Sequence, residues 1–177
     1  MPTGTFKICI FGNGGVGKTS LIQRYVAGHF SESTKMTIGV DIASKRLDID
    51  DWKVTLQIWD FGGEDRFRFF LPTYASGSSG GVFMYDITRY SSLMEFDDWI
   101  KIFSSGANTE NNIVPILMVG GKADLEEKRG VNFKEGCEFA NSHHMYDTIE
   151  CSAKNGQNVE LIFKSIARKI MESLELI

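Results

Sequence analysis

The sequence predicts an α/β fold: a six-stranded, mostly parallel sheet with one antiparallel edge strand and helices on both faces. Three observations carry this. Short apolar runs of strand length alternate with helix-period segments along the whole chain. Several of those runs are continuous rather than alternating, as strands covered on both faces require. Two adjacent runs are separated only by Asp50-Asp51, which leaves room for a hairpin turn and nothing longer.

The elements follow in order. Residues 7–11 read as a buried strand and residues 19–27 as a helix, with Leu21, Ile22, Tyr25 and Val26 on one face. Residues 31–35 are polar and loop-like. Residues 40–49 form a strand. Trp52, Val54, Leu56 and Ile58 then alternate with Lys53, Thr55, Gln57 and Trp59, the mark of a half-buried strand paired back on it. Residues 81–86 and 113–119 are apolar runs of strand length. Between them, Leu93, Phe96, Trp99, Ile100 and Phe103 line one side of a helix over 92–103. A helix over 133–140 and a short strand over 146–150 lead to a last helix carrying Val159, Ile162, Phe163, Ile166 and Ile170. No repeat, low-complexity tract or linker interrupts the pattern, so one domain spans residues 1–177. Ligands of such sheets sit at the carboxyl ends of the strands, which makes the loops after the strands the first candidates.

Composition bounds the function. A chain of 177 residues with 42% hydrophobic and 24% charged residues buries a core without disulfides or a structural metal. A net charge of −4 lacks the basic footprint of a nucleic-acid binder, while one phosphorylated ligand needs only local positive charge. Cys9, Cys137 and Cys151 match no zinc spacing and read as reduced thiols of a cytoplasmic protein. The first apolar run is too short for a signal peptide, and the longest runs fall short of the ~18 residues of a membrane span. Leu174-Glu175-Leu176-Ile177 holds no cysteine, so no prenyl anchor is expected in the chain as it stands.

After the first strand stands Gly12-Asn13-Gly14-Gly15-Val16-Gly17-Lys18-Thr19, which is G-x-x-x-x-G-K-[ST] between a strand and a helix. Glycines let backbone N–H groups turn inward onto phosphate oxygens, and the following helix adds its positive end. Lys18 can reach the β- and γ-phosphates, and the Thr19 hydroxyl can ligate Mg²⁺. The phosphate-binding set is therefore Asn13, Gly14, Gly15, Val16, Gly17, Lys18, Thr19 and Ser20, and the fold that of a P-loop nucleoside triphosphatase. The motif alone names neither base nor reaction.

Four more segments narrow it: Thr37-Ile38-Gly39, Asp60-Phe61-Gly62-Gly63, Gly121-Lys122-Ala123-Asp124 and Cys151-Ser152-Ala153-Lys154. With the phosphate loop, their order and spacing resemble the five nucleotide-binding segments of the Ras superfamily over nearly the whole chain. The Rab branch is most similar, through Ile38-Gly39-Val40-Asp41, Leu56-Gln57-Ile58-Trp59-Asp60, Asp65-Arg66-Phe67-Arg68 and Tyr85-Asp86-Ile87-Thr88.

The resemblance implies a small GTPase that binds GTP or GDP with Mg²⁺. Thr37 would place its hydroxyl on Mg²⁺ and its N–H on the γ-phosphate, Asp60 would hold a Mg²⁺-bound water, and Gly63 would offer a backbone N–H to the γ-phosphate. Loss of that phosphate would release both loops. Asp124 would accept two hydrogen bonds from guanine, which adenine cannot offer. The Lys122 stem would lie along the base, the Ala153 N–H would meet the guanine O6, and Ser152 and Lys154 would shape that loop. Phe30 matches the aromatic that packs on the base edge. Effector, activator and exchange proteins would bind loops 31–41 and 61–76, and the chain would act as a monomer. Phe67, Phe69, Phe70 and Leu71 are unusually apolar for a loop: either partner surface or packing on a neighbouring helix.

Two positions depart from the family. Glu64 stands where most members have Gln, and Gly121 where they have Asn. With Lys18, Thr37 and Gly63, Glu64 makes up the expected catalytic set. An ionised Glu accepts hydrogen bonds but donates none, so slow hydrolysis is expected, with a general-base role for Glu64 as the counter-reading. Without the Asn that ties this loop to the phosphate loop, nucleotide should bind more weakly. Gly14 leaves room for an activator's arginine, and Arg66 and Arg68 are built-in alternatives if they are not simply solvated. A nucleotide-binding scaffold with negligible hydrolysis is the competing function.

Overall fold

The computed structural model describes residues 1–33 and 35–177; Thr34, within the predicted partner loop 31–41, lies outside the described residues. The chain runs β1 (Thr3–Phe11), α1 (Lys18–Ala27), β2 (Val40–Ile49), β3 (Trp52–Phe61), α2 (Asp65–Arg68), α3 (Leu71–Ala75), β4 (Gly80–Asp86), α4 (Tyr90–Met94), α5 (Phe96–Ala107), β5 (Ile116–Gly121), α6 (Phe133–Ser142), β6 (Thr148–Glu150) and α7 (Val159–Ser173). The sheet order is β2-β3-β1-β4-β5-β6. Only β2 is antiparallel to its neighbour, and it forms one edge. This is the architecture the apolar pattern predicts.

Period two governs which core each strand residue joins, even in continuous apolar runs. Ile8, Ile10, Val82, Met84, Leu117 and Val119 point to one layer, with Leu21, Ile22 and Tyr25 of α1 and Ile162, Phe163, Ile166 and Ile170 of α7. Cys9, Phe11, Phe83, Tyr85 and Met118 point to the other, with Leu71, Phe96, Trp99, Phe103 and Ala140. The β2–β3 hairpin pairs Ile49 with Trp52, so two residues make the turn. Asp50 adopts φ 50°, which Asp tolerates, and Arg168 of α7 grips its carboxylate at 2.7 and 3.1 Å. From β1 the chain fills one side of the sheet with β3 and then the other with β4, so a crevice opens where the order reverses.

Four local readings need correction. The strand expected over 146–150 is only Thr148–Glu150. The strand expected over 113–119 is Ile116–Gly121, because Pro115 cannot donate to a ladder and Ile113 is 81% exposed. The helix expected over 92–103 breaks at Glu95 into α4 and α5. Ser92 ties α4 to the end of β4, accepting from Asp86 N at 3.0 Å and donating to Arg89 O at 2.6 Å, while α5 follows the packing of Phe96, Trp99 and Phe103. The segment 61–76, read as loop, contains the short helices α2 and α3.

Cys9 and Cys151 are fully buried, and burial raises the Cys9 thiol and pushes Cys151 up to about 12. Only Cys137 is partly exposed. Native protein at neutral pH should therefore yield one thiol to a disulfide-exchange reagent and denatured protein all three. Cys137→Ser should abolish the native signal; fast reaction of a second thiol would contradict the packing.

Candidate nucleotide-binding site

The turn between β1 and α1 is dictated by steric limits. Gly12 passes β4 so closely that a Cβ would lie 2.1 Å from the Met84 carbonyl oxygen, and Gly17 sits at φ +106°, a region that favours glycine. No side chain caps the first turn of α1, so its N–H groups face the loop. Lys18 is buried and its Nζ donates to Gly12 O at 2.8 Å and Asn13 O at 2.7 Å. Burial pulls its ammonium down to about 8; Asp60 opposes that shift and Arg89 adds to it. An ammonium desolvated to this degree calls for an anion.

Facing it, three oxygens from three segments converge. Thr19 Oγ1 lies 2.5 Å from Asp60 Oδ2 and 2.7 Å from Thr37 Oγ1, and Thr37 Oγ1 lies 3.4 Å from Asp60 Oδ2. Asp60, at the end of β3, is 4% exposed, and its Oδ1 has no hydrogen-bond partner among the described residues. Burial raises its carboxyl above the usual range, against the pull of Thr19 and Lys18. Two hydroxyls and a buried, half-satisfied carboxylate are the hard-oxygen set that suits Mg²⁺.

Gly63 lies directly on the phosphate loop. A Cβ there would stand 2.3 Å from Gly14 N, 2.4 Å from Asn13 C and 2.6 Å from Gly12 O, so no side chain is possible in this arrangement. Glu64 follows, and its Oε2 pairs with Arg66 Nε at 2.5 Å. Gly14, Gly15, Gly17, Lys18, Thr19, Ser20, Thr37, Gly63 and Glu64 line one cleft of about 310 Å³.

At Gly15, Gly17 and Ser20 this cleft joins another of about 300 Å³, lined also by Val16, Phe30, Met84, Lys122, Asp124, Ala153 and Lys154. Each is of the size that holds a small ligand. Asp124 Oδ1 accepts from the buried Ser152 hydroxyl at 2.7 Å, which in turn accepts from Asn155 N at 3.2 Å. Ala123 N donates to Cys151 O at 2.9 Å and binds the two loops together. Lys122, at φ 66°, turns its Nζ onto Asp86 Oδ2 at 2.9 Å. Burial raises the Asp86 carboxyl, but the bonds from Lys122 and Thr88 outweigh it and hold it low.

The predicted residues thus gather around one groove, with four exceptions, of which Ser152 is buried behind Asp124. The Asn13 side chain turns away: its Oδ1 accepts from Trp99 Nε1 at 2.7 Å and Arg68 Nη2 at 3.3 Å. Asp60 and Gly121 lie behind and beneath the groove walls. Sequence reasoning missed Arg89, whose Nη2 donates to Gly14 O at 2.8 Å; only its place just past β4 could have flagged it. Arg68 is not solvated: it lies over Trp99 at 4.3 Å and pairs with Glu95. The apolar stretch divides, with Phe67 and Leu71 buried and Phe69 (85%) and Phe70 exposed. Met36, Ile38 and Ile42 are exposed as well.

A sequence model of the Ras family matches residues 7–172. The chain is similar to the Ras-related protein Rab-19 of Mus musculus and of Homo sapiens, each 37% identical over 167 residues, or 94% of this chain and 75% of the relative. The Xenopus laevis Rab-19 is 37% identical over 166 residues, 94% of this chain and 76% of its own length.

Ser152→Ala would leave Asp124 without its hydroxyl donor. Guanine-nucleotide affinity should fall about tenfold, since a hydrogen bond to a charged group contributes about 1.5 kcal/mol. Titration with a fluorescent GDP would measure this, and unchanged affinity would remove Ser152 from the positioning of Asp124.

Proposed function

We propose, on the premise that this chain belongs to the Ras family and to its Rab-like small GTPases, that it binds GTP and GDP with Mg²⁺ and hydrolyses GTP slowly. Members of that family are guanine-nucleotide-binding switches. The observation that carries the reading is the convergence of Thr19, Thr37 and Asp60 beside the buried Lys18, with Asp60 Oδ1 unpaired among the described residues.

In this reading Lys18 and the N–H groups of residues 14–19 hold the phosphate chain. Thr19 and Thr37 would hold Mg²⁺ directly and Asp60 through a water; the ion, when bound, neutralises charge on the phosphate oxygens. Thr37 and Gly63 offer backbone N–H groups to the γ-phosphate, which makes the two loops nucleotide-sensitive. Asp124, kept acceptor-ready by Ser152, selects guanine, and Ala153, Lys122, Lys154 and Phe30 complete the base site. Gly121 supplies no side-chain hydrogen bond there, so affinity falls below that of a relative with Asn.

Glu64 sets the rate. Its carboxylate accepts from a water but cannot also donate to the γ-phosphate. At about 4 Å and an effective dielectric of 20, its charge opposes the triphosphate by about 4 kcal/mol, part of which the Arg66 partner offsets. The Glu64–Arg66 pair also favours the second reading, a scaffold that binds nucleotide without turning it over, because it engages Oε2 and leaves Oε1 as the carboxylate oxygen free of Arg66 to meet a water. The exposed Met36, Ile38, Phe69 and Phe70, with Ile42 of β2 beside them in sequence, support loops 31–41 and 61–76 as the surface for effector, activator and exchange proteins. No helix among the described residues is long and apolar enough to cross a membrane. We take the chain to act as a cytoplasmic monomer, without nucleic acid, reaching membranes through partners or a further tail.

Protein loaded with GTP and Mg²⁺, with ATP in parallel, should retain GTP, convert it to GDP over hours and leave ATP unbound. Glu64→Gln should speed hydrolysis about tenfold, equal to about 1.4 kcal/mol of barrier. Slower hydrolysis in the variant would make Glu64 a general base. Retained and uncleaved GTP would establish the scaffold.

A further inference from the structure

Gly121 ends β5 beneath the base cleft, beside the phosphate loop. A Cβ there would lie 2.4 Å from Met84 Cε, 2.9 Å from the Val16 carbonyl oxygen and 3.5 Å from the Tyr85 carbonyl oxygen. The first contact excludes any side chain while Met84 keeps its position. The second, 0.1 Å below the 3.0 Å that real Cβ atoms respect, is with backbone, so the phosphate loop at Val16 must give way by that much whatever residue stands at 84. Met84 Cε also reaches Gly17, passing 3.5 Å from where a Cβ would stand. One methyl therefore stands in the side-chain space of both Gly17, at the end of the phosphate loop, and Gly121, at the start of the base loop, and Met84 lines the cleft between them.

We propose that Met84 is the positioning residue that locks the phosphate loop to the base loop in this chain. Its thioether methyl fills the volume a side chain at 121 would take, so packing replaces the hydrogen bonds an Asn would make there. The proposal rests on the nucleotide-binding reading of the site. Met84 is 1% exposed, and its unbranched, adaptable side chain suits an irregular gap. Val at this position would stop short of Gly17 and Gly121 and leave a void against both loops. The strand cannot slide to close it, because Gly12 already presses on the Met84 backbone. Positions 84 and 121 are therefore coupled: a bare Gly121 needs a long residue at 84, and a side chain at 121 needs a short one.

The test is the release rate of fluorescent GDP, in Mg²⁺, from wild type, Met84→Val, Gly121→Asn and the double variant, each with its melting temperature. Met118→Val is the control, since Met118 is equally buried but belongs to the opposite layer. Each single variant should release GDP about tenfold faster than wild type, and the double variant about tenfold more slowly than either single. Met118→Val should lower the melting temperature without changing release. The proposal is overturned if Gly121→Asn alone retains GDP as well as wild type, if the double variant shows no recovery, or if Met118→Val speeds release as Met84→Val does. Wild type that retains no guanine nucleotide would instead overturn the proposed function. The coupling would then be judged on the four melting temperatures, where additive effects overturn it and non-additive ones support it.

Discussion

An ammonium and a carboxylate buried at one crevice constrain everything around them. Lys18 and Asp60 lie at the ends of adjacent elements, both nearly sealed from water. Removing a charge from water costs several kcal/mol unless partners repay it. Two backbone carbonyls satisfy part of Lys18, and two hydroxyls part of Asp60. Neither is complete: the lysine is pulled towards neutrality and one carboxylate oxygen has no partner among the described residues. The fold holds both in place through strand pairing between β1 and β3, in register from Thr3–Lys53 to Ile10–Asp60. A phosphate chain beside Lys18 and a divalent ion beside Asp60 would supply the missing partners.

The segment after β3 is held at two kinds of contact. Its start rests on the phosphate loop through Gly63. Its middle is clamped by Arg68, which spans Asn13, Glu95 and the face of Trp99. Trp99 itself reaches the phosphate loop through Asn13. These contacts are made between protein side chains, in contrast to the nucleotide contacts expected of Thr37 and Gly63. The segment after β3 is therefore tied to the protein's own core. This also explains why Phe67 and Leu71 pack inward while Phe69 and Phe70 face solvent.

What could be read from sequence was what obeys a period or a fixed local geometry. The bounds of β2 and β3 were legible because alternation and a two-residue turn leave one register. The phosphate loop was legible because its glycines answer to backbone limits. Apolarity alone misplaced the start of β5, since Ile113 and Val114 look like strand until Pro115 is weighed. The break at Glu95 was invisible because apolar spacing runs straight through it from Leu93 to Phe103. Arg68 and Arg89 were misjudged or missed because a charged residue is expected in water; only the fold brings Trp99 or a loop carbonyl to meet it. Gly121 was read as a loss, and the residue filling its place lies on another strand, where no local pattern could announce it.

The two rims of the sheet are protected by opposite means. A strand with no outer neighbour presents unpaired N–H and C=O groups to any other chain, the usual route to edge-to-edge aggregation. β6 limits this hazard by brevity, at three residues. β2 cannot, because its ten residues are fully paired with β3 and fix the hairpin. It instead carries Asp41, Lys45, Arg46 and Asp48, charges of both signs that a second copy in random register would force into like-charged or desolvated contact. The charges on the outer rim thus oppose edge-to-edge pairing while Ile38 and Ile42 beside them stay exposed.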